Sequence, residues 1–453
     1  MSRREALTRR SLLASMAVGS TGCLVASKPG PRVFHARYPM GAIPPAGAGE
    51  LFVGAATIDL TPPAGSRTWL AGFGAMRRVR AVRDPVEARC LYLENGGRRV
   101  AIVMVDVVGL LRPTVERVRR LVGNGIEVVV ASTHNHSSPD TLGFWGPAIL
   151  YTLPHRSGID PSYQATLEKR LAVVVRAAVR SARPGRLHIA EGELPPGIAM
   201  NLRPPFKADP PLLVVAADDE QGQAIATLVH FACHVETLGD HNRDLSAGFP
   251  APLRAEVEAR RGGLAIYANG ALGGMVTPDV AASADATERK RRDREIGETA
   301  ANAALDLLAS SKPLDAEPLQ LSRRSVDVPV DNELYAYIER VGIVEARAHG
   351  ADDASLVTEV GRLDLGSLSI ALVPGEPTPA VGAELRAGLL ALPGVEHASV
   401  LGLANDELGY VLKPEQISDP EFEYEVSMTP SPSIFAVLSA AMASLEPRRM
   451  RGS

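Results

Sequence analysis

The chain has 453 residues, 45% of them hydrophobic and 22% charged, the balance of a folded globular protein rather than a disordered or fibrous one. A formal net charge of −4 argues against a general nucleic-acid partner, and three cysteines, Cys23, Cys90 and Cys233, are too few for a disulfide framework. Aromatic residues are only 4%, so the core must rest on Val, Leu, Ile and Ala.

Residues 1–30 read as a targeting segment outside the fold. Thr8-Arg-Arg-Ser-Leu-Leu13 resembles a twin-arginine export signal, and the apolar stretch behind it is too short to span a bilayer. Thr21-Gly-Cys23 is open to three readings: a lipoprotein processing site at Cys23, an ordinary cleaved signal, or a buried N-terminal helix. Export would place the protein in the periplasm, on the cell envelope or outside the cell. Residues 31–48, rich in Pro, Gly and Ala, read as a linker.

The globular part starts near Leu51. A strand over 51–60 is stopped by Thr61-Pro-Pro-Ala-Gly65, and Gly72 and Gly74 follow in a loop. Strands over 87–93 and 99–107 flank Asn95-Gly96, a hairpin signal. A short helix over 114–121 comes next. Asp160-Pro161 opens a helix to about 182, with Leu167, Leu171, Val174, Val175 and Ala178 as its apolar stripe. After a strand at 187–191, a second hairpin pattern over 212–217 and 224–232 runs into Cys233-His234. A strand at 264–267 ends in the glycine-rich loop 269–279, and a long helix spans 286–309 with the basic run Arg289-Lys-Arg-Arg292 on a solvated face. Residues 311–318 read as a linker or long turn. A strand over 319–330, a helix over 333–349, a strand over 368–373 ending in Pro374-Gly-Glu376, a helix from Thr378-Pro379, a strand over 399–403 and a closing helix over 433–445 complete the pattern. No internal repeat is visible. Hairpins mixed with strand–helix–strand steps imply an α/β protein with mixed sheets flanked by helices.

The chemistry concentrates at the carboxyl ends of these strands. The β-branched run Glu127-Val-Val-Val130 leads into Thr133-His-Asn-His136. Residues two apart in a strand point the same way, so His134 and His136 can aim at one point, and imidazole is a usual zinc ligand. His234, the 269–279 loop, Glu376 and Tyr410 also follow strands, where active sites of α/β folds collect. Histidines with a carboxylate, and a tyrosine to complete the shell, suit a catalytic zinc that keeps a position for water.

From about Val53 to Glu425 the chain resembles the catalytic N-terminal domain of the neutral, non-lysosomal ceramidases. The resemblance rests on Gly54-Ala-Ala-Thr-Ile-Asp-Leu-Thr-Pro62, Thr133-His-Asn-His-Ser137, Cys233-His234 with Asn242-Arg243 and Ser246, Pro374-Gly-Glu376, Gly409-Tyr-Val411 and Tyr424-Glu425. It implies a catalytic domain over 49–450 that hydrolyses the amide of N-acylsphingosines with metal-bound water. It implies one zinc ion per chain held by His134, His234, Glu376 and Tyr410, with His136 beside the metal or bonded to the substrate carbonyl. Tyr424 and Arg203, in Met200-Asn-Leu-Arg203, match active-site positions of the family. The chain departs from the family at Thr277-Pro278, where the family has serine before proline; Thr277 keeps a hydroxyl and is a candidate catalytic residue, as a nucleophile or as a hydrogen-bond partner of substrate or ligand shell. The family's C-terminal β-sandwich is not expected in the sequence to Ser453. The functions left open are hydrolysis of ceramide or a related N-acyl lipid, hydrolysis of another linear amide or ester, and a silent metal-containing binding protein. No transmembrane span is expected in the mature chain; peripheral or lipid-anchored membrane contact is left open.

Overall fold

The computed structural model describes residues 50–149, 153–206, 211–345, 347 and 355–448. The expected export segment, Cys23 and the linker lie outside the described residues. The fold is mixed α/β, as expected: two mixed β-sheets packed face to face, with helices on both outer surfaces.

The larger sheet has nine strands, and eight form one path. They are β1 (Phe52–Asp59), β2 (Glu87–Asn95), β3 (Arg98–Val105), β4 (Glu127–Ser132), β5 (Arg183–Glu193), β6 (Pro211–Asp219), β7 (Ala224–Phe231) and β8 (Leu264–Asn269), in the order β8-β7-β6-β5-β1-β2-β3-β4. The ninth, β9 (Lys312–Leu314), pairs with β5 inside the segment expected to be a linker. The second sheet has β10 (Leu319–Pro329), β11 (Ser355–Leu365), β12 (Leu368–Leu372) and β13 (His397–Leu401), side by side in that order.

A threefold pattern underlies this layout that the sequence does not display. β2 and β3 form a hairpin, helix α1 (Arg112–Val122) crosses over, and β4 joins β3 in parallel. The same step recurs as β6, β7, α3 (Pro250–Arg261) and β8. It recurs again as β11, β12, α6 (Pro379–Leu390) and β13. Each step is preceded by an antiparallel strand (β1, β5 or β10) and followed by a covering helix: α2 (Pro161–Arg180), α4 (Ala286–Leu308) or α7 (Ile434–Ala443). Each step sends its parallel strand pair toward one end of the sandwich, and the functional residues sit there.

The strands read as continuous apolar runs because both faces are buried. On β4, Val129 and Ala131 face the second sheet in the inter-sheet core with Leu363, Leu372 and Leu401, while Val128 and Val130 face α1 and α2. At about 25 cal/mol per Å² of apolar surface, such two-sided burial is the main force holding the layers together. Cys90 and Cys233 are buried free thiols, in keeping with the lack of a disulfide framework.

One expected helix is shorter than read, and two elements were not anticipated. The helix read over 333–349 is α5 (Glu333–Arg340); Gly342, with a φ of +73°, turns the chain out of it. α3 was not expected, because Pro250 and Pro252 look like helix breakers; both lie in its first turn, where the missing N–H groups have no helical partner anyway. β11 was not expected either, because Glu359, Arg362 and Asp364 interrupt its apolar pattern. Burial is possible because Glu359 pairs with Arg119 at 2.7 Å and Arg362 with Asp364 at 2.9 Å. Among the described residues no helix is long and apolar enough to cross a membrane.

Candidate metal centre

Past Ser132 the backbone turns at His134, whose φ of +61° is uncommon for a residue with a side chain. Met275, Leu403 and Asn405, in the loops after β8 and β13, also have positive φ. Such conformations mark sites where the fold overrides local preference. The turn after β4 lies beside the turn after β7: Asn135 bridges Val235, and His136 N–H donates to Val235 O at 2.9 Å. His134-Asn-His136 and His234-Val-Glu236 therefore run side by side.

Asn269, at the end of β8, ties the two turns together. Its Nδ2 donates to Thr133 O at 3.0 Å and to Cys233 O at 2.9 Å, and its Oδ1 accepts from Cys233 N–H at 3.1 Å. It is fully buried, so these bonds have no water to replace them.

The imidazoles are oriented from behind. His134 Nδ1 lies 2.7 Å from Val108 O, and His234 Nδ1 lies 2.8 Å from Val276 O. A carbonyl only accepts, so each Nδ1 carries the hydrogen and each Nε2 presents a lone pair. Both Nε2 atoms face Glu376 Oε2, at 3.5 Å from His134 and 3.2 Å from His234. One ligand atom from each of His134, His136 and His234 lies within 4.8 Å of the others.

Glu376 comes from the other sheet. It follows β12 and pairs in parallel with Tyr410, its N–H donating to Gly409 O at 2.8 Å. Gly409, at a φ of +78°, has no room for a side chain: a Cβ would stand 2.0 Å from Met428 O. The buried Tyr410 ring meets Tyr424 edge-on at 6.0 Å between centroids. Arg203 does not stand alone beside these groups; its Nε lies 2.7 Å from Oε1 of the buried Glu425. Thr277, on the short strand Val276–Pro278, donates its hydroxyl hydrogen to Glu236 Oε1 at 2.6 Å.

Burial dominates the electrostatics. It pushes the His134 imidazole down to about 3 despite the nearby Glu376, and it lowers His136. For His234 the burial cost is outweighed by Glu376 and Glu236, and its value rises. Burial works to raise Glu376 too, but the imidazoles of His134 and His234 hold it below the usual carboxylate range. Burial, then Glu376, pushes the Tyr410 phenol well up.

The donor set fits a metal ion. Glu376 Oε2 and both ring nitrogens of His136 are buried with no aligned hydrogen-bond partner among the described residues, an expensive arrangement unless a ligand satisfies them. Imidazole nitrogens with a carboxylate oxygen suit a borderline divalent cation.

Sequence reasoning brought His134, His136, His234, Glu376 and Tyr410 to one place but missed Glu236 and the tie at Asn269. The spacing His234-x-Glu236 repeats that of His134-x-His136 and was the available signal. Asn269 carried none, since its role depends on two carbonyls from distant turns.

These features define a helix–sheet–sheet–helix sandwich with a buried histidine cluster at its strand ends. No family model matches the sequence. Among solved structures, the chain is similar to the neutral ceramidase from Pseudomonas aeruginosa, with a TM-score of 0.71 and 18% identity over 89% of this chain and 76% of that one. It is also similar to a ceramidase complexed with C2, with a TM-score of 0.68 and 17% identity over 88% of this chain and 76% of that one. The chain has the neutral ceramidase fold.

Proposed function

We propose that the chain is a zinc-dependent amidohydrolase that cleaves the N-acyl amide of ceramide or a related lipid, and that it works outside the cytoplasm. The observation that carries this reading is the convergence of His134 and His234 Nε2 on Glu376 Oε2, in the neutral ceramidase fold. His134, His234, Glu376 and Tyr410 would hold the ion, one per chain. When bound, it supplies a Lewis acid that polarises a carbonyl and acidifies water.

The chain's own residues do the rest. Val108 O and Val276 O fix the tautomer of two rings. Tyr410, with Tyr424 edge-on to it, would line the acid side of the centre. Glu425 holds the Arg203 guanidinium, whose remaining N–H groups can orient an amide or hydroxyl of the substrate. Thr277 acts through Glu236 rather than as a free hydroxyl.

The first test is elemental mass spectrometry of the purified chain together with hydrolysis of a fluorescent N-acyl sphingosine. About one zinc per chain and release of the fatty acid are expected. Zinc with turnover only of simpler linear amides or esters would move the substrate away from sphingolipids. Absence of metal after zinc is supplied would remove the catalytic reading.

A further inference from the structure

The turn after β7 carries an acid that the proposed ligand set does not use. Glu236 lies between His136 and Thr277. Its Oε1 accepts the Thr277 hydroxyl hydrogen at 2.6 Å, and its Oε2 stands 3.3 Å from His136 Nδ1. The contact to Nδ1 is not yet an aligned hydrogen bond, a common state before substrate tightens a site. The ring has little freedom to turn elsewhere. At Gly72 a Cβ would stand 2.2 Å from His136 Cγ, and the Phe73 ring meets the imidazole at 5.0 Å between centroids.

All three imidazoles therefore have an acceptor behind Nδ1, but the acceptors differ. His134 and His234 are backed by neutral peptide carbonyls. His136 alone is backed by a carboxylate, which stabilises a neighbouring imidazole as it takes up a proton. It also lies apart from the acid that would share the metal: Glu376 is an ion-pair partner of His134 and His234, and no such contact joins it to His136 among the described residues.

We propose that Glu236, clamped by Thr277, is a positioning residue that holds His136 with hydrogen on Nδ1 and a lone pair on Nε2, making His136 the proton acceptor of the centre. This rests on the hydrolase reading for the identity of the reaction. Water oxygen bonds to the acyl carbon, one water proton passes to His136 Nε2, and that proton goes on to the departing nitrogen as the C–N bond breaks. The products are a carboxylic acid and an amine, so atoms and protons balance. In this arrangement neutral His136 cannot donate to the substrate carbonyl, and the Thr277 hydroxyl clamps Glu236 instead of attacking.

The test is the tautomer of His136, read by ring nitrogen–proton correlation spectra of the full chain with 15N-labelled histidine. His136 should carry hydrogen on Nδ1. Glu236→Gln should move it to Nε2, or to a mixture, while His134 and His234 stay as they are. An Nε2–H tautomer in the unsubstituted chain, or no change in the variant, overturns the proposal. On any amide that is turned over, Glu236→Gln should lower kcat about 10–100-fold with little change in KM. Thr277→Ala should lose no more than Glu236→Gln, and Thr277→Ser should recover most of that loss. A much deeper loss in Thr277→Ala would make Thr277 the nucleophile and sink the clamp. The expected tautomers without turnover of any amide would leave the positioning role standing and remove the hydrolase reading.

Discussion

The centre is built from two halves of unlike construction. The histidine half stands on the nine-stranded sheet, and two of its three rings are already held: peptide carbonyls accept from His134 and His234, Asn269 ties the turns that carry them, and only the His136 ring nitrogens have no aligned partner among the described residues. The acid half stands on the four-stranded sheet and is held by backbone pairing, with glycines at 375 and 409 where the chains approach most closely. Its unpartnered groups are carboxylates. Glu376 Oε2 and Glu407 Oε2 are buried without a hydrogen-bond partner among the described residues. Two rings of the histidine half are preorganised by hydrogen bonds at Nδ1; the acid half is placed by its backbone and completed by what binds. Buried carboxylates are costly when unpaired, so the acid half should govern whether an ion binds, and the histidine half how rigidly it is held.

Breaking the acid half should have the largest effect. Glu376→Ala is expected to lose the ion and all turnover with the fold intact, checked by elemental mass spectrometry and circular dichroism. Zinc retained at full stoichiometry would show that the histidine half binds alone. Breaking the histidine half should cost stability first. Asn269→Ala leaves buried groups of Thr133 and Cys233 unpaired, for a loss of about 2–3 kcal/mol in denaturant unfolding, and it should weaken metal affinity as the two turns separate. Gly409→Ala attacks the acid half through its backbone. The clash with Met428 O should destabilise by about 2 kcal/mol and displace Tyr410, with the His134 and His234 tautomers unchanged.

The seam between the halves offers a pH test. His230 on β7 lies with Nε2 2.9 Å from Val400 O on β13, and burial pulls its imidazole down from 6.5 to about 4. Between those values the unfolded chain binds a proton that the folded chain refuses, so stability should fall as pH drops through that window. Denaturant midpoints measured across it should show the slope, and His230→Gln should flatten it. The smallest effect is expected far from the seam. Lys290→Ala removes a surface pair with Asp244, and the lysine side chain is 47% exposed, so stability should change by less than about 0.5 kcal/mol.

Much of the centre was legible in the chain because strand ends are marked locally. An apolar run that stops at His134-Asn-His136, at Cys233-His234 or at Pro374-Gly-Glu376 announces both the strand and what it presents. Helix starts at Asp160-Pro161 and Thr378-Pro379 were legible for the same reason: their caps are local, and the Asp160 and Thr378 side chains accept the first-turn N–H groups. What escaped were features whose meaning depends on distant partners. β11 carries charges that are tolerable only beside Arg119 and within its own pairing with Arg362. The threefold step of hairpin, helix and parallel strand leaves no sequence repeat, since a topology can recur with any residues that bury the same faces.

By itself, then, the sequence determined most of the element types, the mixed α/β class and the candidate metal-binding side chains at the strand ends, all of which depend on residue identity and short spacing. Only the tertiary structure decided which strand ends meet, that Glu236 stands behind His136 while carbonyls stand behind the other two rings, and that Arg203 is held by Glu425. Those are contacts between residues far apart in the chain, and no local preference encodes the few ångströms by which a hydrogen-bond partner succeeds or fails.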